Sequence, residues 1–408
     1  MQATPVNEKR SLRRVLTLPL LTLYGLGVTI GAGIYVLVGA TAAKADVFAP
    51  MSFVIAAIVV AFTALSYAEL ATRYPVSAGE AAYVKAGFQS TSLATIVGLL
   101  VALSGIVSAS AIAIGAGSYL NIMFGLPVPA LTIATVLLVT AIACWGIAGS
   151  VKIAALVTLV EVAGLLLVIG WGFGSDGQGG ASLSELVPQF EGAAWLSIAS
   201  ASLLAFFAFV GFEDMVNVAE EVKKPRETFP TAVVITLVCT TMLYVATTSA
   251  VIVSVPMSEL AGNPAPLALV FANAPDRLSD AFARIAVIAT VNGILIQIIM
   301  ASRVIYGLAN AGHLPRRLAW IAPRTRTPVV ATVLVTAAIL LLTQTFPIER
   351  LAQHTSQIVL VVFVLVNFAL LRLGPPAPDE ANHFFTIPRI VPMLGLVTSL
   401  GLMLTTWI

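Results

Sequence analysis

The side chain best placed to do chemistry in this 408-residue chain is a carboxyl group inside a long apolar run. Glu161 stands in VKIAALVTLVEVAGLLLVIG, after Lys152 at the start of that run. At 1.5 Å per helical residue it would lie about 15 Å deep, near the centre of a bilayer. An ionised carboxylate at that depth costs about 2.5–3.5 kcal/mol on insertion scales. The group must therefore either carry a proton, which it could take up and release, or be a structural carboxyl that is hydrogen-bonded to backbone or paired with Arg303.

Two glycine-containing stretches interrupt otherwise plain apolar segments. The first is TIGAGIY, with Gly31 and Gly33, and the second is LLAFFAFVGFEDMVNVAEE, with Gly211. Glycine lets a backbone leave helical geometry, and lipid penalises the freed N–H and C=O groups unless they line a cavity or bind a ligand. Freed amides at a positive dipole end suit a carboxylate, and freed carbonyls suit an ammonium group, so a small zwitterion fits both. Close helix–helix packing is the alternative use of such glycines.

Further charged residues lie next to these segments. Glu213 and Asp214 follow Gly211 and are predicted to cap the inner half-helix of the second stretch, with an ion or gate function as the alternative. An ionic gate at the membrane edge is also predicted, although charges at helix ends are commonly just solvated. Its proposed members are Glu69, Arg73, Glu80, Lys223, Lys224, Arg226 and Arg303.

The composition indicates the solvent in which these groups work. The chain is 59% hydrophobic and 10% charged with a mean hydropathy of +1.00, whereas soluble domains are about a quarter charged. The prediction is an all-α polytopic membrane protein, since about 20 apolar residues cross a bilayer as a helix. Eleven segments qualify, near 20–41, 50–72, 93–121, 129–148, 152–173, 195–219, 231–255, 281–311, 328–346, 353–373 and 390–407.

Charge and motif content then limit orientation and function. Most of the 21 Lys and Arg residues share the side of the N-terminal tail, 1–19, so the positive-inside rule places that tail in the cytoplasm. A net charge of +2 without a basic patch gives no sign of a nucleic-acid partner. His313, His354 and His383 lack ligand-like spacing, so neither a metal nor another cofactor is expected. A membrane enzyme or sensor would need a catalytic constellation or a soluble domain, and neither is seen.

The two glycine stretches also predict a repeat. They fall in the first and sixth segments, at matching positions of two five-helix halves, 20–174 and 195–373. Because five is odd, the halves have opposite orientation, which is the pattern of an inverted repeat with a midplane binding site. Residues 374–408 would then form a loop and one additional transmembrane helix.

Four ordered blocks resemble the amino acid–polyamine–organocation (APC) permeases. They are TIGAGIYVLVG, LSYAELATRYPVSAGEAAY, FFAFVGFEDMVNVAEEVKKPRETFPTA and ASRVIYGLANAGHLPRRLAWIAPRTRTPVVA. The resemblance implies a leucine-transporter-type (LeuT-type) 5+5 inverted-repeat fold with discontinuous helices 1 and 6. It also implies a secondary transporter of the cell inner membrane with a central amino-acid site. The family's usual twelfth helix has no counterpart, and ANAG at 309–312 replaces a more charged motif.

Carried over position by position, the resemblance implies a set of substrate contacts. The substrate carboxylate would meet the amides of Ala32 and Gly33, and Gln297 would face the side-chain pocket. Ser104 and Ser108 are further candidates, with helix packing as their alternative role. The carbonyls for the ammonium would come from Thr29, Ile30, Phe207, Ala208 and Val210, and the Phe207 ring would cover the substrate.

The expected function combines these contacts with the buried carboxyl. Several relatives place a lysine or a neutral residue at the position of Glu161, and the resemblance brings this face of the fifth helix near Ser302 of the eighth. Glu161 and Ser302 are therefore the candidates for proton coupling. A pocket with Phe207, Gln297 and serines but no acidic residue aimed at a cationic side chain favours neutral amino acids. A proton-coupled importer is the prediction, and an exchanger of amino acids or polyamines is the alternative.

Overall fold

A computed structural model describes residues 14–31, 33–75, 79–145, 151–174, 181–189, 192–376 and 384–407. Within those ranges the chain is built from helices, whose residues are mostly the Ala, Leu, Ile and Val of the apolar runs. The α-helices are α1 (Leu18–Ile30), α2 (Gly33–Ala45), α3 (Ala49–Arg73), α4 (Gly79–Phe88), α5 (Thr91–Phe124), α6 (Val128–Trp145), α7 (Val151–Gly174), α8 (Gly192–Phe207), α9 (Pro225–Ser254), α10 (Met257–Leu260), α11 (Asp276–Asn310), α12 (Val329–Thr345), α13 (Ile348–Leu373) and α14 (Ile390–Leu404). Short 3₁₀ helices cover Asp46–Phe48, Leu183–Leu186, Phe212–Glu221, Pro266–Phe271, Arg316–Ala319 and Thr405–Trp407.

The eleven predicted segments all coincide with helices of this fold. Eight helical stretches in the described residues are long and apolar enough to cross a membrane, and one of them, Gly33–Arg73, runs through both α2 and α3. The shorter apolar helices α1, α12 and α14 account for the rest of the predicted segments. The first span consists of α1 and α2, and the sixth consists of α8 with the 3₁₀ helix Phe212–Glu221. The prediction of an all-α polytopic membrane protein is confirmed.

The first and sixth spans are both discontinuous, as predicted. α1 ends at Ile30 and α2 begins at Gly33, while α8 ends at Phe207 and is followed by turns over 208–211. Within those turns the hydrogen bonds run to the third residue back, as in Val210 N–H to the Phe207 carbonyl at 3.1 Å. The inner half of the sixth span continues as a 3₁₀ helix, Phe212–Glu221, where an inner half-helix was predicted. Both breaks leave main-chain groups outside regular α-helical pairing.

Four of the packing pairs in the bundle join a span to the one five places later. α2 packs on α8, α3 on α9, α5 on α11, and α6 on α12. Two halves related by a pseudo-two-fold axis would be paired in this way. The division into halves 20–174 and 195–373 stays a prediction.

Additional elements close the two ends of the broken spans. The loop helix α4, which the sequence reading did not predict, lies against α5 and α13. At the opposite end, α10 and the 3₁₀ helix Pro266–Phe271 pack against α2, and the Gly262 N–H donates to the Gly39 carbonyl at 3.0 Å. Before α1, Leu16 forms an isolated parallel bridge with Val222 at the exit of the sixth span. The two discontinuous spans are therefore tied to each other beyond the breaks as well.

Candidate binding site at the two helix breaks

The two breaks touch each other through their glycines. A Cβ atom on Gly33 would lie 2.7 Å from the Cα of Ala208, which real side chains do not tolerate. Gly211 has a φ of +124°, and a Cβ there would collide with the carbonyl of Val28. Only glycine permits both the backbone conformation and the close approach. The unusual glycines of the sequence are thus explained by the contact of two irregular backbones inside the protein.

A cavity of about 20 Å³ lies at this contact. Gly33 and Val210 contribute backbone to its wall, and no charged residue is among the described residues that line it. About 10–15 Å³ is needed to hold a single water molecule, so an amino acid enters only if the walls separate. Six of the predicted substrate-binding residues line this cavity, namely Thr29, Gly33, Ser108, Phe207, Val210 and Gln297.

The other four predicted contacts lie elsewhere or outside the description. Ile30 and Ala208 are buried at the ends of the broken segments but are not part of the cavity wall. Ser104 lines a neighbouring cavity, and its hydroxyl donates to the Val101 carbonyl at 2.8 Å. Ala32 lies outside the described residues. The structure thus collects most of the predicted set around one point.

Tyr244 joins the two breaks, and sequence reasoning missed it. Its hydroxyl oxygen, carried by α9, lies 2.7 Å from the Thr29 carbonyl and 2.7 Å from the Ala208 carbonyl. A phenol has one proton, so it fully satisfies one of these two acceptors at a time. Both carbonyls belong to the set predicted to hold an ammonium group. Three oxygens, those of the Tyr244 hydroxyl and of the Thr29 and Ala208 carbonyls, therefore share one proton at the junction of the two spans.

The ring of Tyr244 is held in place by aromatic neighbours. Phe53 and Phe209 meet it edge-on, with ring centroids 5.8 Å and 5.0 Å away. The side chain is fully buried, and a buried phenol normally finds a hydrogen-bond partner. The signal in the sequence was a tyrosine at the middle of an otherwise apolar span, in TTMLYVATT.

Glu161 is fully buried on α7 and has an incomplete set of partners. Its Oε1 accepts from the side-chain amide of Asn292 on α11 at 3.1 Å, whereas its Oε2 has no hydrogen-bond partner. Its backbone carbonyl accepts from the hydroxyl of Tyr35 at 2.7 Å, which ties α7 to the first span. One neutral donor does not compensate for an ionised carboxylate in an apolar surrounding. The local chemistry therefore favours a group that carries a proton in this conformation.

The neighbours predicted for Glu161 were wrong. Ser302 lies about 15 Å further along α11 at 1.5 Å per residue, and its hydroxyl donates to the Ile299 carbonyl at 3.0 Å. Arg303 is exposed. The turn of α11 that faces α7 is set by helix packing across the chain, so the sequence indicated a polar partner but not Asn292.

A second cavity, of about 10 Å³, shares Val210 and Gln297 with the first. Its described lining residues include Glu80, Glu213 and Asp214 but neither lysine nor arginine. Burial raises the pKa of the Glu80 carboxyl, on the loop helix α4, to about 7, and the nearby charge of Asp214 adds to this rise. Three carboxyls without a cation in the cavity wall cannot all be ionised together.

The predicted capping residues make short-range contacts at the sixth-span break. Glu213 Oε2 accepts from the Gly211 N–H at 2.9 Å, and Gly211 is the residue that precedes the 3₁₀ helix. Asp214 Oδ1 accepts from the side-chain amide of Asn217 at 3.3 Å. Capping of this helix by Glu213 or Asp214, and a gate function for either group, both stay predictions.

The predicted ionic gate is divided among separate places. Glu69 and Arg73 form an ion pair one turn apart on α3, and Arg73 Nη1 donates to the Gly374 carbonyl at 2.8 Å. These contacts link α3 to the end of α13, whereas Glu80 faces the second cavity and Arg303 is exposed. The expectation of a single network was wrong, because the i,i+4 spacing directs Glu69 and Arg73 together toward another interface.

The chain as a whole is similar to known transporters. A family model described as amino acid permease matches residues 16–408. The branched-chain amino acid permease BcaP of Bacillus subtilis (strain 168) is 29% identical, with 97% of this chain and 89% of that protein aligned. The vacuolar cationic amino acid transporter 2 of Arabidopsis thaliana is 30% identical over 90% of this chain, which spans 61% of that longer protein. The methylthioribose transporter of Bacillus subtilis (strain 168) is 29% identical over 96% of this chain and 88% of that protein.

Proposed function

Because the chain belongs to the amino acid permease family, we propose that it imports neutral amino acids across the cell inner membrane together with protons. The observation that carries this proposal is the contact of two broken spans around an uncharged cavity. Main-chain groups outside regular α-helical pairing at such a junction can hold the carboxylate and the ammonium of a zwitterion, and the cavity wall can then select the side chain.

Neutral substrates fit the lining of the cavity better than charged ones. Phe207, Gln297 and Ser108 are the side chains that a substrate would meet there. A cationic side chain would lack a carboxylate in that wall, and an unpaired buried charge is costly. The names of the relatives include both branched-chain and cationic amino acids, so substrate class is to be measured directly.

Alternating access supplies the transport step. A cavity of about 20 Å³ at the breaks holds no amino acid, so the first and sixth spans must separate from their neighbours to admit one and close again behind it. Opening toward one face and then the other moves the substrate without a continuous channel.

Glu161 is proposed to couple this motion to the proton gradient. Its carboxyl is buried at the α7–α11 contact, with one oxygen unpartnered, while α7 is bonded to the first span through Tyr35. Proton loss would place an uncompensated charge against Asn292 in an apolar surrounding, which favours a conformation that admits water. Uptake and release of the proton would thus be tied to the position of the broken first span.

The test is uptake of labelled amino acids by the purified protein in liposomes under an imposed pH step, acidic outside. We expect accumulation of neutral amino acids by the wild type and its loss in Glu161→Gln, because the amide cannot exchange a proton. Undiminished proton-driven accumulation by Glu161→Gln would reject the role of Glu161. Competition by neutral, cationic and anionic amino acids in the same vesicles tests the substrate class.

Exchange is the competing mode of the same fold, and the same vesicles separate it from symport. An obligate exchanger takes up label only when the vesicles contain unlabelled substrate, whereas a symporter also fills empty vesicles. If Glu161→Gln retains counterflow but loses accumulation into empty vesicles, the substrate site is intact and proton coupling alone is lost.

A further inference from the structure

The roomiest of the three cavities described here lies away from the helix breaks. It has a volume of about 230 Å³ and is enclosed by the ends of α3 and α13 and the start of α14. The lysine and arginine distribution assigns this edge of the protein to the cytoplasmic face. No step of the proposed transport cycle uses it.

Two guanidinium groups converge on Gly374 at the rim of this cavity. Arg73 Nη1 donates to the Gly374 carbonyl at 2.8 Å. Arg389 Nη2 comes within 3.2 Å of the position that a Cβ on Gly374 would occupy. Two cations on the same glycine repel each other unless an anion lies between them or solvent screens them. This arrangement therefore calls for negative charge.

The carboxylate already present there is fully used. Glu69 pairs with Arg73 through Oε1, and its Oε2 accepts from the Ile387 N–H at 2.8 Å. Arg73 has a side chain only 9% exposed, and its Nε is buried without a hydrogen-bond partner. Within the described chain, Arg389 is exposed and forms no ion pair. Among the described residues, the charge of Arg389 thus remains without a partner.

The helix that starts at this point adds a third attractive feature. Arg389 is the N-cap residue of the 15-residue helix α14, so the positive dipole end of α14 faces the same region. Apolar side chains such as Leu370 and Pro392 form the remaining wall. The cavity thereby combines an anion-binding corner with a surface that suits hydrocarbon.

We infer that this cavity binds a phosphate group at Arg389, beside Arg73 and the N-terminal end of α14. A guanidinium group can bind phosphate oxygens in a bidentate manner, and the positive dipole end of a helix favours an anion. The phosphate can come from an anionic lipid headgroup of the adjoining leaflet or from the free anion, and the apolar wall beside the cations suits the lipid. A bound phosphate would fasten α14 to α3 and α13.

Binding to the purified full-length protein in an uncharged detergent tests this inference without any transport assay. Short-chain phosphatidylglycerol, short-chain phosphatidylcholine and inorganic phosphate are titrated while the midpoint of thermal unfolding is recorded. We expect phosphatidylglycerol to raise the midpoint with saturation, and Arg389→Gln to increase the half-saturating concentration about fivefold, the usual contribution of one basic residue near an anionic surface.

Arg372→Gln is the matched control. Arg372 is exposed near the same edge but lies over the Phe88 ring, 4.9 Å from its centroid, and does not line the cavity. The control should respond to phosphatidylglycerol as the wild type does. A response to inorganic phosphate equal to that to phosphatidylglycerol would identify the free anion as the ligand, and a much weaker one would identify the lipid.

Two results would overturn the inference. The first is a wild type whose midpoint none of the three compounds raises, and the second is an equal response of Arg389→Gln and the wild type. If Arg389→Gln does not fold, the test is the salt dependence of the wild type. Salt screens the attraction between phosphate and arginine, so the rise of the unfolding midpoint must become smaller as salt is added. A response that salt leaves unchanged would contradict the site. Because transport is not measured, failure here leaves the proposed function untouched.

Discussion

Glu161 and Asn367 are both buried polar side chains inside the helix bundle, yet their surroundings differ. The Asn367 amide donates to the Thr63 hydroxyl and to the Phe363 carbonyl, each at 2.9 Å. Its Oδ1 accepts from the Ser66 hydroxyl at 2.7 Å. Glu161 has one partner, Asn292, and one oxygen with none.

The difference distinguishes a fully hydrogen-bonded polar group from the carboxyl that is proposed to carry the coupling proton. A buried group whose hydrogen bonds are all made specifies one packing arrangement, here of α13 against α3. A buried carboxyl with an unpartnered oxygen destabilises the fold strongly when it is ionised and less when it is protonated. Substitutions that remove the hydrogen bonds of the first kind of group, or the charge of the second, test this difference.

The largest expected effect concerns Glu80, which resembles Glu161 in being a buried carboxyl without a cation beside it. Its pKa is raised from 4.5 to about 7 by burial, so between those pH values the folded protein binds more protons than the unfolded chain. Stability must therefore fall as pH rises from 4.5 to 7, by up to about 3 kcal/mol at 1.36 kcal/mol per unit.

Glu80→Gln should reduce that fall, because Glu213 and Asp214 remain in the same cavity. The measurement is the free energy of unfolding in detergent across this pH range, with Glu227→Gln, an exposed position at the start of α9, as the control. A wild-type pH dependence that Glu80→Gln leaves unaltered would show that Glu80 is not the buried titrating group described here.

The next largest effect concerns Asn367, the buried group whose hydrogen bonds are all made. Asn367→Leu conserves volume but removes the hydrogen bonds to Thr63 and Ser66, so we expect a loss of about 1–3 kcal/mol in the free energy of unfolding. Gln344→Leu, at an exposed position of α12, should change stability by less than about 0.5 kcal/mol. If the two variants are equally stable, the hydrogen bonds of Asn367 do not stabilise the fold.

Tyr244 lies between the two cases, since its hydroxyl is bonded but has more acceptors than protons. Tyr244→Phe leaves the Thr29 and Ala208 carbonyls without this donor, and we expect a loss of about 1 kcal/mol together with a raised KM for amino acids. Tyr119→Phe is the control, because the Tyr119 hydroxyl donates at 2.6 Å to a single carbonyl, that of Tyr35, and does not join the two breaks. A raised KM in both variants would mean that Tyr244 has no special link to the substrate.

The sequence was sufficient for features that depend on local composition. Apolar runs of spanning length predicted every membrane helix, and glycines 31, 33 and 211 predicted both breaks, because lipid permits irregular backbone only where it is buried in protein. It also identified Glu161, since a carboxylate in such a run is conspicuous wherever the helix packs.

Features that depend on contacts between distant parts of the chain could not be predicted in the same way. Tyr244 meets a carbonyl 215 positions away, and Asn292 meets a carboxyl 131 positions away. The rotation of each helix about its own axis decides such pairs, and apolar runs with polar residues on no single face do not specify it. For the same reason the predicted gate, which grouped charges by membrane edge alone, was divided among three places.

The smallest expected change in stability belongs to Glu161→Gln, and the comparison depends on it most. Gln keeps the size of the side chain and an oxygen for Asn292, and it replaces the unpartnered oxygen by an amide that is also unpartnered. We therefore expect the free energy of unfolding to stay within about 0.5 kcal/mol of wild type, in contrast to Asn367→Leu. If Glu161→Gln unfolds as easily as Asn367→Leu, then Glu161 is a structural carboxyl, and any loss of proton-driven uptake in that variant would follow from damage to the fold. If it is as stable as wild type and yet fails to accumulate substrate, the unpartnered oxygen is retained for the proton that it carries.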